Sequence, residues 1–277
     1  MECYENRKIV SMAVSDSISY NHQVLKNPDA EKFVYHTHDR FEIIFLIRGN
    51  MQYVAEGRCY DLEAGDLILT RPSVFHTIFP KDDSTYERYD AIIDEKLIDR
   101  GIRDKIPKNQ HVFKFARDER IYELFSKLDT YYGRFEESEY AHLTFNVIEE
   151  LIYNLTLFDG AGEWGTVNPL IDKATSYILE HLDKIRGIDE ISDALYVTKS
   201  HLHHIFIKYL RMTPAKYILS KRLLRAQKRI LRGGKPTDVY TECGFEDYAT
   251  FFRNYKKYFG YAPSQTHSTE IRRDIIQ

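Results

Sequence analysis

Ile188-Asp-Glu-Ile-Ser-Asp-Ala-Leu-Tyr-Val-Thr-Lys-Ser-His-Leu-His-His-Ile-Phe206 is the stretch on which the reading of the whole chain turns. Apolar residues at 188, 191, 195, 197, 202, 205 and 206 keep helical spacing with one break around Tyr196 and Val197. That pattern predicts two helices and a turn. Thr198 is placed to cap the second helix, its hydroxyl accepting from an otherwise unpaired N–H of the first turn. The arrangement recurs further on, with Val239 in a first helix, Cys243-Gly-Phe245 at a turn, Asp247 as the cap, and Phe251, Phe252, Tyr255 and Phe259 along the next helix. Pro214 to Leu231 lies between the two, opens on a first-turn proline and stops at Gly233-Gly234. Eighteen helical residues give a rod of about 27 Å. Such a rod holds two recognition helices about one duplex turn apart, ~34 Å, so that both enter successive major grooves on one face of DNA.

Arg222-Leu-Leu-Arg-Ala-Gln-Lys-Arg-Ile-Leu231 resembles the connecting helix of the AraC/XylS transcriptional regulators. Gly244-Phe-Glu-Asp-Tyr-Ala-Thr-Phe-Phe-Arg-Asn-Tyr-Lys-Lys-Tyr-Phe-Gly-Tyr-Ala-Pro-Ser264 resembles the signature of the same family, and the likeness runs from about Asn168 to Thr266. Four places depart from the family pattern: Arg211 stands where glycine usually follows the first recognition helix, Ile207 where lysine is common, Tyr240 where a small alanine packs, and Thr266-His267 where Tyr-Arg is usual.

Charge supports nucleic-acid binding independently. From Val167 onward there are 19 Lys and Arg against 12 Asp and Glu, a net of +7, which leaves −10 for the rest of a chain whose formal total is −3. A basic module of this size can neutralise several phosphates. On the first recognition helix Ser200, His203 and His204 face away from Ile205 and Phe206; on the second, Tyr248, Ala249, Thr250 and Arg253 do. These are the candidate base readers, with Arg253 able to fork onto guanine O6 and N7. Lys199, Lys208, Lys256 and Lys257 are the candidate phosphate contacts.

With 277 residues the chain has room for two domains, each with its own core. No apolar run approaches the ~20 residues of a membrane span, and the first twenty residues lack the basic start and apolar stretch of a secretion signal. A cytosolic protein without membrane contact is expected. Cys3, Cys59 and Cys243 are too scattered for a metal knuckle or a disulfide framework.

Residues 1 to about 27 read as a polar arm with one strand at Ile9–Val14. From Lys32 short alternating segments separated by Arg48-Gly-Asn50, Glu56-Gly57 and Ala64-Gly-Asp66 predict a small antiparallel barrel or sandwich over about 28–95. Inside it His36-Thr-His38 is followed by Glu42 after three residues and Gly49 after six; Gly65, Pro72 and His76 come later. These positions resemble the two motifs of the cupin barrel, in which the three His and the Glu converge. The resemblance, together with the C-terminal one, implies the sensor half of an AraC-type regulator. His36, His38, Glu42 and His76, with Tyr35 and Tyr53 as aromatic neighbours suited to a sugar or a flat molecule, are the candidate effector-binding residues. No cofactor is required by this reading, although the same quartet is chemically adequate for a divalent transition metal. A third possibility is that the imidazoles only order the barrel by hydrogen bonding.

After a charged connection from Lys96 to Lys108, residues 118–158 carry two amphipathic stripes joined through Gly133 to Ser138, a helical hairpin. In the family such a hairpin packs on the barrel and pairs two subunits, which implies a homodimer. The expected fold is therefore α+β with two domains: a cupin-like β-barrel with its hairpin over 1–158, a glycine-rich linker over 159–168, an all-α domain with two helix-turn-helix units over 169–267, and a tail over 268–277. Function follows as an effector-controlled activator or repressor of transcription that binds double-stranded DNA and recruits or releases RNA polymerase. Two alternatives stay open, a DNA-binding protein whose barrel only dimerises and a metal-dependent cupin enzyme with a DNA-binding tail. The second lacks a nucleophile or acid-base pair beside the quartet.

Overall fold

The computed structural model describes residues 6–108, 110–115, 119–158 and 165–266, and the chain divides into two units, Met1–Thr166 and Val167–Gln277. The first unit begins with strands β1 (Arg7–Val14), β2 (Ile18–Leu25), β3 (Phe41–Arg48), β4 (Met51–Ala55), β5 (Arg58–Leu62), β6 (Asp66–Thr70), β7 (His76–Pro80) and β8 (Tyr86–Ile93). A short helix α1 (Arg100–Arg103), strand β9 (Val112–Lys114), helices α2 (Glu119–Tyr131) and α3 (Glu137–Thr156) and the two-residue strand β10 (Thr166–Val167) follow. Strand content thus starts some twenty residues before the expected barrel boundary, and the segment read as an arm supplies two strands instead of one. The charged connection also leads into a further strand, β9.

The strands form two open sheets, ordered β1-β2-β8-β3-β6-β9 and β10-β5-β4-β7, where a closed barrel was expected. The reason is visible in β3, whose residues 41–46 are all buried. Strand geometry sends alternate side chains to opposite faces. Ile43 and Phe45, with Leu67, Leu69, Tyr89 and Ala91, pack under Phe125, Leu128, Ile148 and Leu151 of the hairpin. Ile44 and Leu46 meet Met51, Tyr53, Tyr60 and Leu62 of the smaller sheet. Helices cover one face of the larger sheet and the second sheet covers the other, an arrangement of layers that needs no closure.

Polar groups tie the first two strands to this stack. Asp129 of α2 accepts from Ser11 Oγ at 2.6 Å and from Tyr89 Oη at 2.8 Å, and lies 2.8 Å from His22 Nδ1. On its other side the His22 ring sits 3.1 Å from Glu87 Oε1, so both ring nitrogens face a carboxylate.

The second unit contains α4 (Pro169–Glu180), α5 (Ile188–Ala194), α6 (Lys199–Leu210), α7 (Pro214–Leu231), α8 (Pro236–Glu242) and α9 (Tyr248–Phe259). Thr198, Thr213 and Asp247 cap α6, α7 and α9 through their side-chain oxygens, as the sequence anticipates for the first and last. Leu202, Phe206 and Leu210 of α6 are buried together with Ile171, Ile191 and Tyr217, while Leu223, Ile230, Val239, Phe251 and Tyr255 make the core of the second half. Arg222 of α7 donates from Nε to Leu182 O at 2.9 Å and from Nη2 to Ile185 O at 2.5 Å, anchoring the segment that leads into α5. Of the expected linker, residues 159–164 lie outside the described residues, as do His267 and the tail from 268.

Candidate sensor site and nucleic-acid interface

His36, His38, Glu42 and His76 come together: one ligating atom from each lies within 4.8 Å of the others. Glu42 is the second residue of β3 and His76 opens β7, and a backbone bridge of 3.0 and 2.9 Å between His36 and His76 brings the preceding segment alongside. Each imidazole is held from behind. His36 Nδ1 is 3.0 Å from Val34 O, His38 Nδ1 3.0 Å from Arg40 O and His76 Nδ1 3.0 Å from Val74 O. A carbonyl can only accept, so all three Nδ1 atoms carry a proton, and in the neutral tautomer each ring turns an Nε2 lone pair inward.

That choice of tautomer leaves acceptors facing an acceptor. Glu42 Oε2 is 2.9 Å from His76 Nε2 and 3.8 Å from His38 Nε2, yet these three buried atoms have no hydrogen-bond partner among the described residues. A shared proton or a cation resolves the contact. His36 is the exposed member of the group, yet partial desolvation of its ring and the neighbouring His76 push its imidazole down to about 4. At His38 burial acts downward too, but the adjacent Glu42 carboxylate outweighs it and its pKa stands above the ordinary value. Burial would raise the Glu42 carboxyl; His76 and His38 reverse this and hold it well below the usual carboxylate range. Three imidazoles and one carboxylate, with orphaned inward atoms on His38, Glu42 and His76, fit a divalent transition ion in donor type and number.

Tyr53 is fully buried beside this group, its ring centroid 6.2 Å from that of His76 and its hydroxyl 2.8 Å from Thr70 Oγ1. Tyr35 is half-buried and its hydroxyl accepts from Gly57 N at 3.4 Å. Sequence reasoning missed a polar wall on the same inner face, where Arg88 Nη2 donates to Asp90 Oδ2 at 3.1 Å. Asp90 Oδ1, Tyr86 Oη and Asn21 Oδ1 are buried without hydrogen-bond partners among the described residues, and burial pushes the Asp90 carboxyl up to about 6. The spacing of Tyr86, Arg88 and Asp90, every second residue of β8, was the available signal.

In the second unit Ser200, His203 and His204 are exposed along α6, and Ala249 and Arg253 along α9. Arg253 Nη2 donates to Thr250 Oγ1 at 3.1 Å, which holds the guanidinium along the helix surface. Thr250 is half-exposed. Tyr248 is half-buried, its ring 5.6 Å from Tyr240 and 5.8 Å from Phe251, so the ring belongs in large part to the core. Lys199 pairs with Asp189 of α5, and Lys208 lies over the Tyr209 ring at 5.3 Å. Lys256 and Lys257 are exposed near the end of α9. Among the described residues no helix is long and apolar enough to cross a membrane.

Comparison with known proteins matches residues 25–139 to the AraC-like ligand binding domain family and residues 191–269 to a helix-turn-helix domain family. Among similar proteins, the HTH-type transcriptional regulator YbfI of Bacillus subtilis is 22% identical over 222 residues, 78% of this chain and 80% of that protein. The HTH-type transcriptional activator RhaR of Escherichia coli is 23% identical over 260 residues, 87% of this chain and 89% of that protein. Among solved structures, ToxT of Vibrio cholerae superposes with a TM-score of 0.40 at 12% identity, over 93% of this chain and 100% of that one. With a ligand-binding domain and a helix-turn-helix domain matched in that order, the chain belongs to the AraC/XylS family of DNA-binding transcriptional regulators.

Proposed function

We propose that this regulator is a ligand-biased dimer whose two helix-turn-helix units read adjacent major-groove segments. One observation carries the reading: α6 and α9, each capped and each buried along one side, leave polar stripes open, Ser200, His203 and His204 on the first and Ala249 and Arg253 on the second. A small molecule touching His38, Glu42 and His76 favours one arrangement of the sensor unit, which changes the spacing of the DNA-binding units on their half-sites and so the recruitment of RNA polymerase. The exposed aromatics of the hairpin support pairing of subunits, with Tyr122, Tyr132, Phe135 and Tyr153 each 45–48% exposed. The test is a thermal-shift screen of metabolites followed by gel shift on the promoter beside the protein's own gene. A hit that shifts both melting and retardation in the wild type, but neither in the triple alanine variant of His38, Glu42 and His76, supports the role; an unchanged response in the variant refutes it.

The orphaned atoms of the quartet favour a second reading of the same pole, in which His36, His38, Glu42 and His76 hold a divalent transition ion. When bound, such an ion would supply a Lewis-acid anchor for an oxygen of the effector. Elemental analysis of protein purified without chelator or histidine tag should find about one ion per chain, lost in Glu42→Gln; metal far below stoichiometry in the wild type would contradict it.

A further inference from the structure

The two helix-turn-helix units repeat each other closely, which makes their differences informative. In both, a twelve-residue recognition helix follows a turn with a left-handed residue and ends on a left-handed cap. The second unit fills those two places with Gly244 at φ 86° and Gly260 at φ 79°, the residue for which this backbone costs nothing. The first unit fills them with Tyr196 at φ 55° and Arg211 at φ 53°. Left-handed backbone is unfavourable for a residue with a Cβ, most of all a bulky one. Neither side chain recovers that cost by packing: Tyr196 is 96% exposed, and Arg211 is exposed and makes no ion pair among the described residues. Their backbones serve the turn and the cap, but strain kept by side chains that do nothing for the fold points to a site of function.

Their placement identifies the partner. At 100° per residue Ser200, His204, Ile207 and Arg211 fall on one stripe of α6, and Ile207 on it is 40% exposed. Arg211 lies eleven residues beyond Ser200, about 16 Å along the axis, while the major groove is ~12 Å wide. A helix whose first turn meets base edges therefore carries its last residue out to the phosphates of the groove rim. Tyr196 stands before the cap at the opposite end. No acidic residue lies on α6, so the stripe itself presents only neutral and basic groups to a polyanion.

We propose that Tyr196 and Arg211 bracket the first recognition helix on duplex DNA, the phenol donating to a phosphate on one rim and the guanidinium pairing with a phosphate on the other. The second unit, with glycine at both places, lacks this bracket. The first is therefore the more tightly held of the two and sets the register of the protein on its site.

The probe is a random-sequence 40-base-pair duplex, because phosphate contacts need no cognate sequence, with affinity measured over a range of NaCl concentrations for the full-length protein. Arg211→Gly should weaken binding about tenfold and make the slope of log K against log salt shallower by about one, while the melting temperature holds or rises. Arg211→Lys should keep the slope. Tyr196→Phe should weaken binding a few-fold with the slope unchanged, and Tyr196→Gly should do the same while holding or raising the melting temperature. Unchanged affinity in Arg211→Gly and Tyr196→Gly overturns the bracket, as does a loss of affinity that comes with a lower melting temperature and is not restored by lysine. Failure of the wild type itself to bind the duplex would instead overturn the DNA-binding role on which the bracket rests.

Discussion

Replacing Gly244 by alanine should loosen the DNA-binding unit through a residue on a different helix. Gly244 has φ 86°, so any Cβ costs about 1 kcal/mol in backbone energy alone. A Cβ built there would also lie 2.8 Å from Arg222 Nε and 2.9 Å from Cζ, closer than such contacts allow. The guanidinium must swing away, giving up its bonds to Leu182 O and Ile185 O. A hydrogen bond from a charged donor contributes about 1.5–3 kcal/mol when buried. Arg222 is half-exposed, and water replaces part of that, so about 1–2 kcal/mol for the pair is reasonable. The sum is about 2–3 kcal/mol, enough to lower the melting transition of a unit this size by roughly 10 °C. The assay is calorimetric melting of Gly244→Ala, Arg222→Met and the double variant. In the Arg222→Met background the glycine substitution should cost only its backbone part, about 1 kcal/mol, leaving a coupling energy of about 1–2 kcal/mol. Equal costs in the two backgrounds would show that the close approach of Gly244 to Arg222 is not what the position requires.

Three further outcomes are expected. Arg253→Ala should weaken a cognate duplex by about 1–3 kcal/mol and spare random DNA, whereas Lys256→Ala should weaken both and flatten the salt dependence; equal losses on both duplexes for Arg253→Ala would remove it as a base reader. Burial and the nearby Arg71 lower the His111 imidazole to about 4 against an ordinary 6.5. The unfolded chain therefore binds a proton first as pH falls, and the stability His111 contributes is complete above about pH 6.5 and lost progressively toward pH 4. Urea unfolding at pH 5 should show a penalty relative to pH 7 that His111→Gln reduces by about 1–2 kcal/mol, and an identical pH response in the variant would contradict the assignment. On the hairpin, Tyr153→Glu should convert a dimer to monomer in light scattering at micromolar concentration, and a wild-type monomer both with and without DNA would reject subunit pairing.

The second unit was the more legible of the two because its signals are local. Side-chain caps at Thr198 and Asp247, Pro214 in a first turn and apolar residues at helical spacing each lie within a few residues of what they specify. Tyr248 shows the limit: one turn from the cap it could face either way, and only the rings of Tyr240 and Phe251 draw it inward. In the sensor unit the quartet and one strand near β1 could be read from the sequence, but β2 could not. His22 and Gln23 are polar and buried, and β2 is held in place by Asp129 and Glu87, more than sixty residues away in sequence. Hydropathy carries no trace of such a partner. The open sheets were equally out of reach, since strand alternation in β3 reports burial on two faces but not what covers each.

Hydroxyl-radical footprinting and methylation interference on duplexes selected by the protein from a random library test most directly whether both units read one face of DNA. The account predicts two protected major-groove patches about 10 base pairs apart on the same side, with the α9 patch lost in Arg253→Ala. A single patch, or two on opposite sides of the duplex, would contradict it.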